Sequence, residues 1–433
     1  MQRFSEFSRA FASAGPALCF ALLLALPIAG QERVVPESVG MSSERLARLT
    51  RTMNAYVEEG RLPGAVVLLM RKGEIAYLEA FGERDMESGD PQSTDDIFRI
   101  ASQTKAIVSA AVLMLQEEGR IDIQAPVSRF LPEFAETTVA VPKEAGGYDV
   151  VPANRPITAR DLLTHTSGAG YGGGVAASEW EAEGIQGWYF AHREEPIRET
   201  VRRIAALPFP AQPGDGFVYG YSTDILGALV EEVSGLPLDE FLRTRIFEPL
   251  GMVDTHFYLP PEKADRLSVV YAGSTDGTLR RSPPSGGMGG QGLYIEGPRT
   301  SFSGGAGLLS TARDYARFLQ AILNGGALDG HRILSPKTVE LMTANHVGDM
   351  MGAAGGFGLG FQLVRDLGAR GTPGSLGEFG WGGAYHSSYW GDLTEDLVVV
   401  YFTQVAPAPG LDDHQMLRNL VYQAIVDGGV IRH

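Results

Sequence analysis

Cysteine is all but missing from this 433-residue chain; the single example, Cys19, lies in an apolar stretch near the N-terminus. A chain cut after that stretch would carry no disulfide, no thiol nucleophile and no thiolate metal site. Lysine is nearly as scarce, with Lys72, Lys105, Lys143, Lys263 and Lys337 alone. Acidic residues (52) outnumber basic ones (36) for a formal charge of -16. The chain therefore lacks the positive face that binding to nucleic acid or to an anionic membrane surface requires. No G-x-S-x-G elbow occurs, which leaves an alpha/beta-hydrolase nucleophile unsupported. No two histidines have metal-ligand spacing, and there is no internal repeat. The stretch "ALCFALLLAL" (Ala17 to Leu26) is too short to span a bilayer comfortably. Arg3 and Arg9 precede it and "PIAG" follows, so residues 1–30 read as a signal peptide cut near Gly30. Export to the periplasm or medium, with no membrane attachment after cleavage, is the expectation. A retained anchor is the alternative.

What remains, residues 31–433, is long enough for one large composite domain. "SSERLARLTRTMNAYVEEG" has serine caps, helical spacing and a terminal glycine. "GAVVLLMRKGEIAYLEAFG" reads as two strands about the turn "RKGE". An apolar helix then runs from Ser102 to about Glu118, and helical signals dominate from there to about Pro260. The glycine-rich 282–307 stretch reads as loop. "FGLGFQLVRD", "EFGWGGAYHSSYW" and "DLVVVYFTQV" look like strands before a last helix. The expected fold is α+β. Residues 31–101 and 300–433 would share one antiparallel sheet flanked by helices. The mostly helical 102–299 would be inserted as a subdomain, with a cleft between.

Three stretches carry chemistry-bearing residues. In "SQTK", Ser102 and Lys105 are three apart, so they share a helix face. A helix start offers free N–H groups and partial positive charge to an alkoxide or oxyanion there. Serine needs a neighbouring base, and an apolar helix entry desolvates lysine toward its neutral form. A capping serine beside a snorkelling lysine is the competing reading. In "FVYGYSTDILG", Tyr221 directly precedes a helix and is the first-ranked phenol base. Tyr219, two residues earlier, ranks second, and either can equally be a core tyrosine. In "FGWGGAYHSSYW", Trp381 is followed by Gly382 and Gly383, a pattern that marks close backbone approach in a strand. Such a strand can offer an N–H to an oxyanion.

As an ordered set, "SQTK", "LLTHTSG", "PGDGFVYGYSTDILG", "SGGAGLLSTARDYARF", "GFGLGF" and "FGWGGA" resemble the beta-lactamase-related serine hydrolases. These comprise class C beta-lactamases, D-alanyl-D-alanine carboxypeptidases of the same fold and family VIII carboxylesterases. The resemblance implies a beta-lactamase/transpeptidase-like fold. It implies Ser102 as acylated nucleophile, Lys105 and Tyr221 as its activating pair, and the N–H groups of Ser102 and Ala384 as oxyanion hole. Trp381, Gly382, Gly383 and Thr223 would border the substrate, a small ester or amide. No metal or cofactor is implied.

Two departures from the beta-lactamase pattern shift the expectation toward esters. Trp381 stands where those enzymes carry a lysine, and Thr223 where the tyrosine motif ends in asparagine. Both changes remove groups that would hold the carboxylate or amide of a beta-lactam. D-alanyl-D-alanine peptidase or beta-lactamase activity is the runner-up, and a non-catalytic peptide-binding relative is the alternative of another class. Lys337-Thr338 lies on a predicted helix and reads as a decoy. "GAGYGG" (Gly168 to Gly173) fits G-x-G-x-x-G but follows a helical pattern, against a dinucleotide site. His165 is expected to order a turn through its ring nitrogens, and His386 to sit at the substrate side or on the sheet surface.

Overall fold

In the computed structural model, residues 32–427 are described, residue 285 excepted. The expected signal segment, Cys19 included, lies outside the described residues. Two long strands open the fold, β1 (Gly64–Arg71) and β2 (Glu74–Asp85). Lys72 (φ 53°) and Gly73 (φ 79°) join them with both central residues left-handed, the turn that matches strand twist. The short β3 (Asp90–Pro91) follows. The C-terminal part supplies β4 (Gly355–Phe357), β5 (Gln362–Val364), β6 (Phe379–Gly383), β7 (Ser387–Asp392) and β8 (Leu397–Thr403). The eight strands form one antiparallel sheet in the order β4-β5-β6-β7-β8-β1-β2-β3. The N-terminal hairpin closes onto the chain's last strand, with Ala65 opposite Thr403 and Arg71 opposite Leu397. That joining of the two chain ends is the α+β arrangement expected from the sequence.

The period-two alternation of β1 divides the interior. Ala65, Val67 and Leu69 face helix α1 (Ser43–Glu58, capped by Ser42) and pack with Leu46, Leu49 and Leu417. Val66, Leu68 and Met70 point the other way, into the larger core. That core is built on α2 (Thr104–Glu117), buried at every position from Thr104 to Leu115. A helix apolar all round is a core helix, not a surface one. Leu113→Ala there would cost about 2–5 kcal/mol. Against α2 packs α3 (Ser222–Ser234), while α4 (Ala312–Leu323) lies against β8 and β1. The last helix, α5 (Asp413–Tyr422), returns to α1.

The middle of the chain is less purely helical than its sequence suggests. Thr138–Pro142 pairs with Tyr148–Pro152, and Tyr271–Gly273 with Leu279–Arg281. The first hairpin has its reason in "TVAV" and "YDVV", β-branched and aromatic residues about a turn where Gly146 (φ 89°) and Gly147 (φ 77°) are left-handed. The 282–307 stretch is irregular, as expected, and reaches the site described next. Among the described residues, no helix is long and apolar enough to cross a membrane.

Candidate active site

Ser102 sits in a single 3-10 turn (Ala101–Gln103) that feeds straight into α2. The two-residue strand Phe98–Arg99 precedes it. Ala101 has φ 43°, a left-handed setting that costs a non-glycine residue about 1–3 kcal/mol. Surrounding contacts hold this bend. Gln103 Nε2 donates to Ser387 Oγ (2.9 Å), Tyr315 donates to the Gln103 carbonyl (2.8 Å), and the Leu308 N–H donates to Thr104 Oγ1 (3.1 Å). Ser102 keeps only 9% of its surface exposed and opens on a cleft of about 450 Å³.

Lys105 lies one turn on, almost fully buried. Its ammonium has three hydrogens and three acceptors. They are Gly305 O (2.6 Å), Tyr171 Oη (3.0 Å) and, at a longer 3.4 Å, Ser102 Oγ. The Tyr219 ring lies 4.7 Å from the same nitrogen, within cation–π range. Burial alone would lower this lysine's pKa, as the sequence led us to expect. The neighbouring phenols of Tyr171 and Tyr219 and the Asp224 carboxylate outweigh it, and the net shift is upward. Lys105 is therefore a held cation, not a neutral amine.

Asp224, on the first turn of α3, is the buried counter-charge, and sequence reading had passed over it. Ser303 Oγ (2.6 Å) and the Gly305 N–H (3.1 Å) donate to its Oδ1. Burial raises its pKa, while Ser303, Lys105 and Gly305 pull it down. Gly305 binds the carboxylate with its N–H and Lys105 with its carbonyl. A Cβ at that position would fall 2.3 Å from Asp224 Oδ2, so only glycine fits.

The structure brings Ser102, Lys105 and Tyr219 together, and it does not bring Tyr221 to them. Tyr221, the first-ranked phenol, is wholly buried behind the cleft, between Trp180 (5.7 Å between ring centroids) and Phe190 (5.7 Å). Its hydroxyl has no hydrogen-bond partner among the described residues. Tyr219 lines the cleft instead and accepts a hydrogen bond from Trp381 Nε1 at 2.9 Å. Gly220 separates the two, and a Cβ there would meet the Ala169 carbonyl at 2.2 Å. The chain thus runs tight against 169–170, turning one tyrosine outward and the next inward. Thr223 moves with this correction. It is buried on the first turn of α3 and is not among the residues lining the cleft. The residue two places beyond Tyr219 is Tyr221 itself.

The remaining wall is β6. Trp381, Gly382, Gly383 and exposed Ala384 all line the cleft with Ser102. A Cβ on Gly383 would lie 2.6 Å from the Ile100 carbonyl, so the end of β6 packs directly on the segment carrying Ser102. Tyr171 and Trp188 complete an aromatic enclosure. Tyr171 comes from the "GAGYGG" stretch. Gly168 there (φ 86°) would place a Cβ 2.1 Å from the Ala211 carbonyl, so its glycines serve chain crossing, not phosphate binding. Burial raises the Tyr171 pKa to about 12, against the pull of Lys105.

His165 is buried with its ring 4.7 Å from that of Tyr219. Burial, then Lys105, holds its pKa well below the usual value. Its Nδ1 has no partner among the described residues, so that nitrogen does not order the turn as the sequence suggested, and the ring packs on Tyr219. His386 lies outside the cleft lining and bonds to Asp413. Lys337 sits on the Pro336–Met342 helix with its ammonium on Glu340 (2.7 Å), away from the cleft lining.

Residues 49–423 match the family model named Beta-lactamase. Esterase EstB of Burkholderia gladioli is 34% identical over 382 residues, 83% of this chain and 90% of that protein. Among solved structures, EstCE1, described as a hydrolase with promiscuous acyltransferase activity, superposes with a TM-score of 0.74 at 28% identity, covering 88% of this chain and 99% of that one. Simvastatin synthase (LovD) of Aspergillus terreus, at 24% identity, shares the fold with a TM-score of 0.76 over 89% of this chain and 100% of that one. With the family model spanning most of its length and a one-third-identical relative covering most of both chains, this protein belongs to the beta-lactamase family and is one of its serine hydrolases.

Proposed function

We propose that the enzyme hydrolyses small carboxylic esters through an acyl-Ser102 intermediate, with Tyr219 as the base. The observation that carries this reading is the convergence of Ser102, Lys105 and Tyr219 on one aromatic cleft. Lys105 spends its three hydrogens on Gly305, Tyr171 and Ser102, so it has no free lone pair for a proton. Its work is electrostatic. Tyr219 Oη, which accepts the Trp381 N–H, is the base that takes the Ser102 proton as Oγ attacks the ester carbonyl carbon. The carbonyl π pair moves to oxygen, and the N–H groups of Ser102 and Ala384 receive that charge. One such donor is worth about 3–4 kcal/mol. The oxyanion then collapses, the C–O bond to the alcohol breaks, and the leaving alkoxide takes the proton from Tyr219. Water repeats the sequence on the acyl-enzyme and frees Ser102.

Trp381 favours esters over beta-lactams. It gives Tyr219 a neutral donor and the cleft an apolar wall where a lysine would supply a cation for a carboxylate. The esterase name of a one-third-identical relative supports the same choice. Acyl transfer to an alcohol shares every step up to the acyl-enzyme. The aromatic cleft, with Tyr171, Trp188, Tyr219 and Trp381 as walls, suits an organic acceptor as well as water. Export remains part of the proposal, and N-terminal sequencing of the periplasmic protein tests it.

The deciding experiment is labelling with a fluorophosphonate probe, read by intact mass and by the adduct on the Ser102 peptide. The expected result is one adduct per chain, absent from folded Ser102→Ala. Equal labelling of that variant would reject the nucleophile. Faster turnover of a chromogenic cephalosporin than of p-nitrophenyl butyrate would reject the ester preference.

A further inference from the structure

At the turn of the β6–β7 hairpin, outside the lining of the Ser102 cleft, three potential metal ligands meet. His386 is in the hairpin turn, and Asp413 and His414 are on the first turn of α5. Sequence separation hid this group, since His386 and Asp413 are 27 positions apart. Each side chain offers one ligand atom, and these atoms all lie within 4.8 Å of one another. We infer that His386, Asp413 and His414 form a binding site for a divalent transition ion of the zinc class.

The donor set is the first support. Two imidazoles and one carboxylate suit such an ion and form a three-ligand site whose fourth position stays open to water. The geometry is the second. His386 Nε2 and Asp413 Oδ1 are 2.6 Å apart, and the His386 and His414 rings lie parallel with centroids 4.1 Å apart. A tetrahedral ion with bonds of about 2.0–2.1 Å spaces its donors by about 3.3 Å. The pair therefore opens slightly, and the His414 ring turns from the His386 carbonyl that it now meets at 3.1 Å. Outer support is already in place. Tyr401 donates to Asp413 Oδ2 at 2.5 Å and fixes a carboxylate that is wholly buried, the orienting arrangement typical of metal ligands. His386 is held at φ 62°, a conformation that non-glycine residues seldom take. An entry path exists, because His414 also lines an outer groove of about 520 Å³ with Gln415 and Ser388.

The site is independent of the acyl-enzyme reading and is tested without turnover. Chelator-treated full chain is titrated with Zn²⁺ by calorimetry, and with Co²⁺ by visible absorption. The expected result is one ion per chain, a tetrahedral Co²⁺ spectrum, and a thermal midpoint raised by a few degrees with Zn²⁺. His386→Gln and His414→Gln should each weaken the affinity at least about tenfold. His331→Gln, an exposed histidine elsewhere, should leave it unchanged. Binding that survives both site variants, or no binding at all, overturns the inference. Should the variants misfold, the wild-type chain answers by chemical footprinting. Zn²⁺ protecting His386 and His414 from diethyl pyrocarbonate supports the site, and equal modification with and without Zn²⁺ overturns it.

Discussion

Tyr219 and Tyr221 are two residues apart and belong to different environments. The first is part-exposed, borders the cleft and has a polar partner, with the Lys105 cation beneath its ring. The second is wholly buried between aromatic rings with its hydroxyl unpartnered among the described residues. The carboxylates repeat the contrast. Asp224 sits in the polar cluster behind the cleft, close to Lys105. Asp314 is buried in the core on α4, where it accepts from the Asp254 N–H (2.7 Å) and Thr255 Oγ1 (2.9 Å). The same side-chain chemistry thus meets different surroundings on the two sides of the cleft wall: near Lys105 it joins a polar, charged cluster, and in the core it is scaffold.

The largest expected effect is that of Ser102→Ala, which should lower ester kcat by about 10⁴-fold or more with unfolding unchanged. Next comes the pair that tests the contrast directly. Tyr219→Phe should cost about 10²–10⁴-fold in kcat. Tyr221→Phe should leave kcat near wild type and the thermal midpoint unchanged or raised, because it removes a buried hydroxyl that bonds to none of the described residues. Parallel kinetics of the two variants decide it, and equal losses would put Tyr221 back at the reaction centre. Asp224→Ala strips the counter-charge near Lys105 and should destabilise the fold by about 3 kcal/mol in urea unfolding. Asp314→Asn gives the core counterpart. Burial raises the Asp314 pKa to about 6, so the folded state binds its proton more tightly than the unfolded chain. Its stabilising contribution is full below the ordinary carboxylate pKa of about 4 and disappears as pH rises through about 6. The stability difference between wild type and Asp314→Asn should therefore fall between pH 4 and 7, by up to about 3 kcal/mol. Trp381→Phe keeps the ring and loses the N–H on Tyr219. About a tenfold drop in kcat is expected, the worth of one hydrogen bond, measured on the same ester.

Much of the fold was legible because its signals are local. The "RKGE" turn, the capped first helix and the all-apolar run after Lys105 each announce themselves within a short window. The joining of the terminal strands followed from the order of elements. The hairpin at 138–152 was missed because its strands are short and lie among helical patterns. In the site, Ser102 and Lys105 are readable since a helix fixes their relation. The choice of tyrosine was not readable. A single residue separates the candidates, and what orients them is that residue, Gly220, pressed against the Ala169 carbonyl, a contact across about fifty residues of sequence. Asp224 and Tyr171 escaped for the same reason, as their partners Gly305 and Lys105 are distant in the chain.

Gly382 lines both the Ser102 cleft and the neighbouring groove, as Trp381 and Gln362 do. Of these three shared residues only Gly382 brings no side chain. A Cβ there would meet the Ser387 carbonyl at 3.0 Å, so bulk added at position 382 would intrude on both spaces at once.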